Sequence, residues 1–190
     1  MAGYVARPFV AGTPEALVVG QIVLSFVENL EADMIMPLLP KHGLEKIEPE
    51  KWYPHQALMD TMKEVSELPG SQSALVAFGR KAVEKALMPP EITSIPQALH
   101  ILHAVHHLNL RNIPEEEGYF IEEKGPNHYW VYHNTPNPED GIYGFIWGMV
   151  ARFKHPDEVF VVRQVENPNP DVHPGTVYEC KWGAKGTHFE

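Results

Sequence analysis

Histidine is the residue type whose spacing in this chain is suited to chemistry, and it clusters in one segment. Residues 94–111 read SIPQALHILHAVHHLNLR and hold four of the chain's eleven histidines. If this segment forms one helix with Ser94 as its cap, three imidazoles share one face at spacing i, i+3 and i+7. These three are His100, His103 and His107. Such a stack can bind a metal ion or face a cofactor, and the same spacing also produces an ordinary solvated stripe.

The fourth histidine of the segment, His106, falls on a different side of the predicted helix. It lies between Leu102 and Leu110, on a surface whose apolar residues should face the core. A histidine at such a position is more often a core residue with one hydrogen-bonded nitrogen than a ligand. Two interpretations of His106 are therefore open at this point, a core histidine and a buried ligand.

A metal centre would need a ligand from another element, because the histidine face carries no Asp, Glu or Cys. The end of the first predicted helix offers carboxylates at Glu28, Glu31 and Asp33. Two or three of the stacked histidines, together with Glu28, would hold Zn²⁺ or Fe²⁺ and leave one position open for water or a substrate. This arrangement would make the protein a metal-dependent enzyme. Charges at a helix end are, however, usually only solvated.

The spacing of apolar residues predicts helices in the first part of the chain. They cover residues 13–36, 52–68, 71–88 and 94–111. The first of these is apolar on nearly every side, which is typical of a core helix or of a dimer interface.

After residue 111, short runs of aromatic and β-branched residues between turn signals predict antiparallel strands. The predicted strands are 118–123, 128–133, 159–166 and 176–182. Residues 143–153 fit either a strand or a short helix, because glycines interrupt the pattern.

The order of these elements predicts an α+β fold with N-terminal helices packed on a C-terminal antiparallel β-sheet. The 190 residues are enough for one well-packed domain, so we expect a single domain over residues 1–190. Its helical half would cover residues 13–111 and its sheet half residues 116–183.

Composition excludes several classes of function. With 25 acidic and 15 basic residues the net charge is −10, which makes nucleic acid and anionic membranes poor partners. Cys180 is the single cysteine, so neither an intrachain disulfide nor a cysteine zinc motif can form, and we expect a cytoplasmic protein. No secretory signal and no membrane span is predicted. The phosphate-binding, dinucleotide-binding, serine hydrolase and HExxH metalloprotease motifs are absent from the sequence.

Aromatic side chains are candidates for a pocket that takes a flat apolar ligand. The six candidates are Trp52, Tyr53, Trp130, Tyr132, Trp147 and Trp182. Of these, Trp130 and Trp147 belong to the predicted sheet half and are the preferred pocket residues, although a core of this size also needs aromatics for packing.

Several segments together resemble a known group of ligand-binding domains. They are WYPHQAL at 52–58, GSQSALVAFGRKAVEKALMPP at 70–90, a helix ending in LNLR, and a closing strand GTVYECKW at 175–182. The chain is similar in these features to the bacterial domains grouped with 4-vinyl reductase and heme nitric-oxide-binding proteins. It lacks the Tyr-x-Ser-x-Arg signature of the heme-binding branch, and the cysteine cluster of the 4-vinyl reductase branch is reduced to Cys180.

This resemblance implies an α+β module with a small-molecule pocket between the helices and the sheet, often dimeric and often a sensor. We therefore expect a heme- or small-molecule-binding, sensor-like protein that forms a homodimer. A neutral imidazole on a rigid helix is a suitable ligand for heme iron, so His106 would be the axial ligand, with His103 and His107 as alternatives. The rival functions are the Zn²⁺ or Fe²⁺ enzyme and a dimeric interaction module without a cofactor.

Overall fold

The computed structural model of the chain describes residues 3–30 and 32–189. The N-terminal elements are β1 Leu17–Val19, α1 Gly20–Asn29, α2 Ala32–Ile35, a 3-10 turn Leu39–His42, β2 Trp52–Pro54, α3 His55–Ser66 and α4 Ser71–Lys85. They are followed by α5 Ile95–His100, α6 Leu102–Asn109 and β3 Leu110–Arg111. The C-terminal elements are β4 Gly118–Gly125, β5 His128–Asn134, α7 Glu139–Phe153, β6 Glu158–Val165 and β7 Thr176–Ala184.

A four-stranded antiparallel sheet with the strand order β4-β5-β7-β6 forms the C-terminal part. The four predicted strands are confirmed, and the α+β fold class is confirmed with them. The hairpin β4–β5 pairs Phe120 with Tyr132, and β7 pairs with both β5 and β6. The stretch 143–153, which the sequence left open between strand and helix, belongs to helix α7.

Helix α7 contains several glycines and packs tightly on α4, and this close packing explains why the segment is a helix. A Cβ atom added at Gly144 would lie 2.1 Å from the backbone oxygen of Val76, and one at Gly79 would lie 2.2 Å from the backbone oxygen of Gly141. The two helix backbones therefore approach more closely than any side chain at these positions would allow. Packing of this seam outweighs the low helix propensity of glycine.

A second, small antiparallel sheet with the order β2-β1-β3 lies within the helical half, where the sequence predicted helices alone. Val18 pairs with Tyr53 and with Leu110, so residues 17–19 form the central strand. The prediction of a helix from residue 13 is wrong for this segment. Leu-Val-Val is a good strand sequence, because β-branched residues lose side-chain freedom in a helix. Its partner strands are far away in the sequence, and no local pattern reveals them.

The predicted histidine helix 94–111 is divided at Ile101 and ends at Asn109. Ile101 itself keeps right-handed helical backbone angles, and its backbone oxygen accepts a hydrogen bond from the N–H of Val105. The histidines therefore keep nearly helical spacing across the break. The last two residues of the predicted helix form β3 instead.

Two clusters of buried apolar side chains hold these layers together. One cluster lies among α1, α3 and α4 and includes Val23, Phe26 and Met59. The other lies among α5, α6, α7 and the large sheet and includes Leu99 and Ile146. Among the described residues, no helix combines the length and the apolar character that crossing a lipid bilayer requires.

Candidate functional site

A cavity of about 190 Å³ lies between the helical half and helix α7. Its walls are apolar side chains of α1, α3, α4, α6 and α7 together with a few polar ones. The polar side chains are Ser25, His55, His106, Asn109, Tyr119 and Asn137. No Asp, Glu, Lys or Arg is among the described residues that line it. This composition suits a largely apolar molecule that is oriented by one or two polar groups.

His106 belongs to the wall of this cavity, as a buried residue on α6. Its Nε2 lies 3.2 Å from Oε1 of Glu117, a residue that precedes β4 and is completely buried. An ionised carboxylate can only accept a hydrogen bond, so Nε2 carries the proton and donates it. In the neutral ring, Nδ1 is then the nitrogen with a free lone pair.

Glu117 has a second partner in the N-terminal arm of the chain. The phenol of Tyr4 donates a hydrogen bond to Oε2 of Glu117 over 3.0 Å. Burial and the nearby Glu117 carboxylate raise the pKa of this phenol, so it stays protonated and remains a donor. Glu117 therefore connects α6 to a segment more than a hundred residues earlier in the chain.

His55 is a second imidazole in the same cavity wall, and sequence reasoning missed it. It is the first residue of α3 and only 2% exposed. Its Nδ1 is buried and has no hydrogen-bond partner among the described residues. Burial lowers its pKa to about 4, with Glu117 opposing and His106 reinforcing the shift, so the ring is neutral at pH 7. The only sequence signal was its place after Pro54, which marks a helix start rather than a site.

The histidines His103 and His107 stack on each other, as their spacing predicted, with 4.4 Å between their ring centroids. They do not line the cavity and instead support the start of β4. Nε2 of His107 donates to the backbone oxygen of Glu117 over 2.8 Å, and Nδ1 of His103 accepts from the backbone N–H of Tyr119 over 3.4 Å. Burial and the neighbouring His107 lower the pKa of His103.

His100, the third member of the predicted face, is exposed and meets the ring of Tyr129 edge-on at 6.1 Å. Glu28 is exposed on α1, and Glu31 lies outside the described residues. Within residues 3–30 and 32–189, no three His, Cys, Asp or Glu side chains are arranged to hold a metal ion. The alternative Zn²⁺ or Fe²⁺ centre is thus not assembled by the described residues.

Neither Trp130 nor Trp147 reaches the cavity. Trp147 on α7 lies under the guanidinium group of Arg80, 3.6 Å from the ring centroid, and Lys124 lies 4.3 Å from the ring centroid of Trp130. Both indoles therefore stack with cations on other surfaces. The aromatic rings that do line the cavity are those of Phe78, Tyr119 and Phe145.

A further buried histidine, His133 on β5, lies close to the site. Its Nε2 is 2.6 Å from the hydroxyl of Thr135, and burial lowers its pKa to about 3. Glu139 lies beside it and accepts hydrogen bonds from the hydroxyls of Thr176 and Tyr178, each over 2.6 Å. These contacts connect the start of α7 to β7, an inner strand of the large sheet.

No protein-family model matches the chain, and no curated protein does. Solved structures match it over most of its length. The fold is that of the H-NOX domains. A structure solved to probe heme distortion in the H-NOX family has 16% identity and a TM-score of 0.63, over 90% of this chain and 97% of that chain. A variant of the T. tengcongensis H-NOX domain has 17% identity and a TM-score of 0.60, over 90% and 99%.

A third similar structure is an oxygen-binding H-NOX domain related to soluble guanylate cyclases, in its oxygen complex. It shares 17% identity with this chain and covers 90% of this chain and 97% of its own, with a TM-score of 0.55. The TM-scores establish a common fold. The cavity with His106 lies among the helices of that fold, and Tyr119 of β4 reaches it from the large sheet.

Proposed function

We propose that this chain is a heme- or small-molecule-binding, sensor-like protein whose ligand occupies the cavity lined by His106. The fold shared with H-NOX structures supports heme as the first ligand to test, since one of those structures was solved to probe heme distortion. The apolar walls of the cavity support the same conclusion.

The observation that carries the proposal is the position of His106. It is a buried imidazole in the cavity wall with a carboxylate behind it, in contact with Nε2. A carboxylate at this place orients a ligating imidazole and raises its basicity. His106 would hold the iron, and Glu117 would position His106. Heme would supply an iron atom able to bind a further small molecule.

The donor group fits a heme, whereas the present volume of the cavity fits a smaller molecule. Ligand pockets commonly measure about 300–1,000 Å³, and this cavity measures about 190 Å³. Heme binding would therefore require the walls of the cavity to move apart. Since no Lys or Arg is among the described lining residues, the heme carboxylates would have to reach other groups or solvent.

The test is a titration of the purified protein with hemin, followed by absorbance. We expect a saturable Soret band with a stoichiometry near one per chain. His106→Ala should abolish that band, while His100→Ala, which removes an exposed imidazole of the preceding helix, should leave it unchanged. A Soret band that survives His106→Ala and also His103→Ala and His107→Ala would overturn the assignment of the axial ligand.

Three finer expectations remain predictions of this proposal. Homodimer formation is tested by light scattering on the eluted protein, and cytoplasmic location by fractionating the source cells. A small-molecule ligand in place of heme is tested by mass spectrometry of the protein from its own host. Nucleic acid is not an expected partner, because the chain carries a net charge of −10.

A further inference from the structure

The N-terminal arm, residues 3–16, lies over the carboxylate that contacts His106. The phenol of Tyr4 donates a hydrogen bond to Oε2 of Glu117 over 3.0 Å, while Nε2 of His106 lies 3.2 Å from Oε1. The carboxylate therefore has one donor on each oxygen. Because it is completely buried, these two donors replace the water that would otherwise solvate its charge.

The backbone of the arm packs against the same carboxylate oxygen. A Cβ atom added at Gly12 would lie 2.1 Å from Oε2 of Glu117 and 3.2 Å from the hydroxyl oxygen of Tyr4. Only a glycine allows the backbone to come this close. The space beside Oε2 is therefore filled by the arm itself and is closed to solvent.

Separate hydrogen bonds hold the arm in place. The side-chain amide of Asn134 donates to the backbone oxygen of Tyr4 over 3.1 Å. The side-chain amide of Gln56 accepts from the backbone N–H of Ala11 over 2.9 Å and donates to the backbone oxygen of Phe9 over 3.0 Å. None of these three bonds involves the phenol of Tyr4. Docking of the arm and the contact of the phenol with Glu117 can therefore be changed independently.

We propose that Tyr4 is a positioning residue for His106 that acts through Glu117. By sharing the carboxylate, its phenol limits the negative charge at Oε1 and so sets how strongly the imidazole is polarised. This inference rests on the proposed function, in which His106 is the ligand. It gives the N-terminal arm control over that site, although no residue of the arm is among the described residues that line the cavity.

The direction of the effect follows from the charges. Each donor places a partial positive charge beside the carboxylate and weakens its attraction for the other donor. Removing the Tyr4 hydroxyl leaves the Nε2–H of His106 with the full charge, which strengthens that hydrogen bond and raises the basicity of Nδ1. A more basic axial imidazole favours the oxidised state of a bound iron and lowers its reduction potential.

The experiment follows the Nε2–H proton of His106 by NMR in isotope-labelled protein without heme, and His106→Gln assigns the resonance. In Tyr4→Phe, which removes the hydroxyl and keeps the ring, we expect the resonance to move downfield, because the remaining hydrogen bond is stronger. Gln56→Ala is the matched control. It removes two bonds that hold the arm and leaves Glu117 untouched, so the stability should fall and the resonance should stay in place.

A second change at the same position separates polarisation from packing. A fluorinated tyrosine in place of Tyr4 keeps the ring and the hydroxyl, but its more acidic phenol is a stronger donor, so the resonance should move upfield. This protein also keeps the test decisive if Tyr4→Phe folds poorly. After loading with hemin, the reduction potential should be lowest in Tyr4→Phe and highest with the fluorinated tyrosine.

A resonance that does not move in Tyr4→Phe, or that moves equally in Gln56→Ala, would overturn the inference. Shifts of the same sign in Tyr4→Phe and in the fluorinated protein would overturn it as well. The hemin titration decides the proposed function separately. Hemin binding with an unmoved resonance would retain the heme site and reject the role of Tyr4. Opposite shifts without hemin binding would reject heme and retain Tyr4 as the residue that controls the polarisation of His106.

Discussion

The Nε2 atom of His106 lies 3.2 Å from Oε1 of Glu117, and this carboxylate is entirely buried. Tyr4 donates to its other oxygen, so one acidic side chain connects helix α6, the start of β4 and the N-terminal arm. A buried carboxylate is tolerated only when such donors surround it.

Removing this carboxylate should destabilise the protein strongly. Glu117→Ala leaves the buried Nε2–H of His106 and the partly buried hydroxyl of Tyr4 without an acceptor, and we expect a loss of about 3 kcal/mol in the free energy of unfolding. Urea denaturation at pH 7 measures the loss. Glu116→Ala, at the exposed neighbouring position, is the matched control and should change the stability by less than about 0.5 kcal/mol. Equal stabilities of the two variants would contradict the role assigned to Glu117.

Acid should weaken the fold at a pH where most carboxylates are still ionised. His55 and His133 have pKa values lowered to about 4 and about 3 by burial, below the ordinary value near 6.5. Between the lowered pKa values of the folded state and the ordinary value near 6.5, the unfolded chain binds more protons than the folded chain. Stability is therefore complete above about pH 6.5 and falls as the pH drops, by about 2 kcal/mol for each histidine between pH 7 and pH 5.

Urea unfolding at pH 7, 6 and 5 tests this dependence on pH. His55→Phe should reduce the loss between pH 7 and pH 5 by about half, because one of the two buried imidazoles is gone. His155→Phe, which replaces an exposed histidine, should leave the loss unchanged. A wild-type stability that is constant over this range would contradict the burial of neutral imidazoles.

The close approach of α4 and α7 should tolerate no side chain at Gly144. Gly144→Ala would place a methyl group 2.1 Å from the backbone oxygen of Val76, so the helices must separate. We expect a loss of about 3 kcal/mol or more in the free energy of unfolding, at the upper end of overpacking effects. Gly125→Ala, where an added Cβ meets nothing within 4 Å, is the control and should be nearly neutral. If Gly144→Ala left the free energy of unfolding unchanged, the backbones of α4 and α7 could not approach as closely as the structure shows.

Enlarging the cavity should favour heme over small ligands. Phe145 lines the cavity from α7 and is only partly buried. Phe145→Ala removes its ring, which we expect to raise the affinity for hemin and to lower the free energy of unfolding by about 3 kcal/mol. Hemin titration and thermal unfolding measure the two effects. An affinity for hemin that falls in this variant would mean that the volume of the cavity does not limit heme binding.

Local sequence patterns were sufficient to predict the helices and strands whose residues carry a clear apolar periodicity of their own. The strands β4, β5, β6 and β7 follow alternating or β-branched runs between turns, and α3 and α4 follow apolar residues at helical spacing. The strand β1 was missed because Val18 pairs with Tyr53 and Leu110, which are distant in the chain. Helix α7 was left open because its glycines become favourable only against α4.

From the sequence alone, the order of helices and sheet, the buried position of His106 and the absence of cysteine chemistry were accessible. The tertiary structure alone revealed that Glu117 lies behind His106, that His55 faces the same cavity, and that Trp130 and Trp147 do not. The physical reason is that helical spacing determines which side of an element a residue occupies. Which distant element covers that side depends on packing between segments that can be more than a hundred residues apart, and no local pattern carries that information.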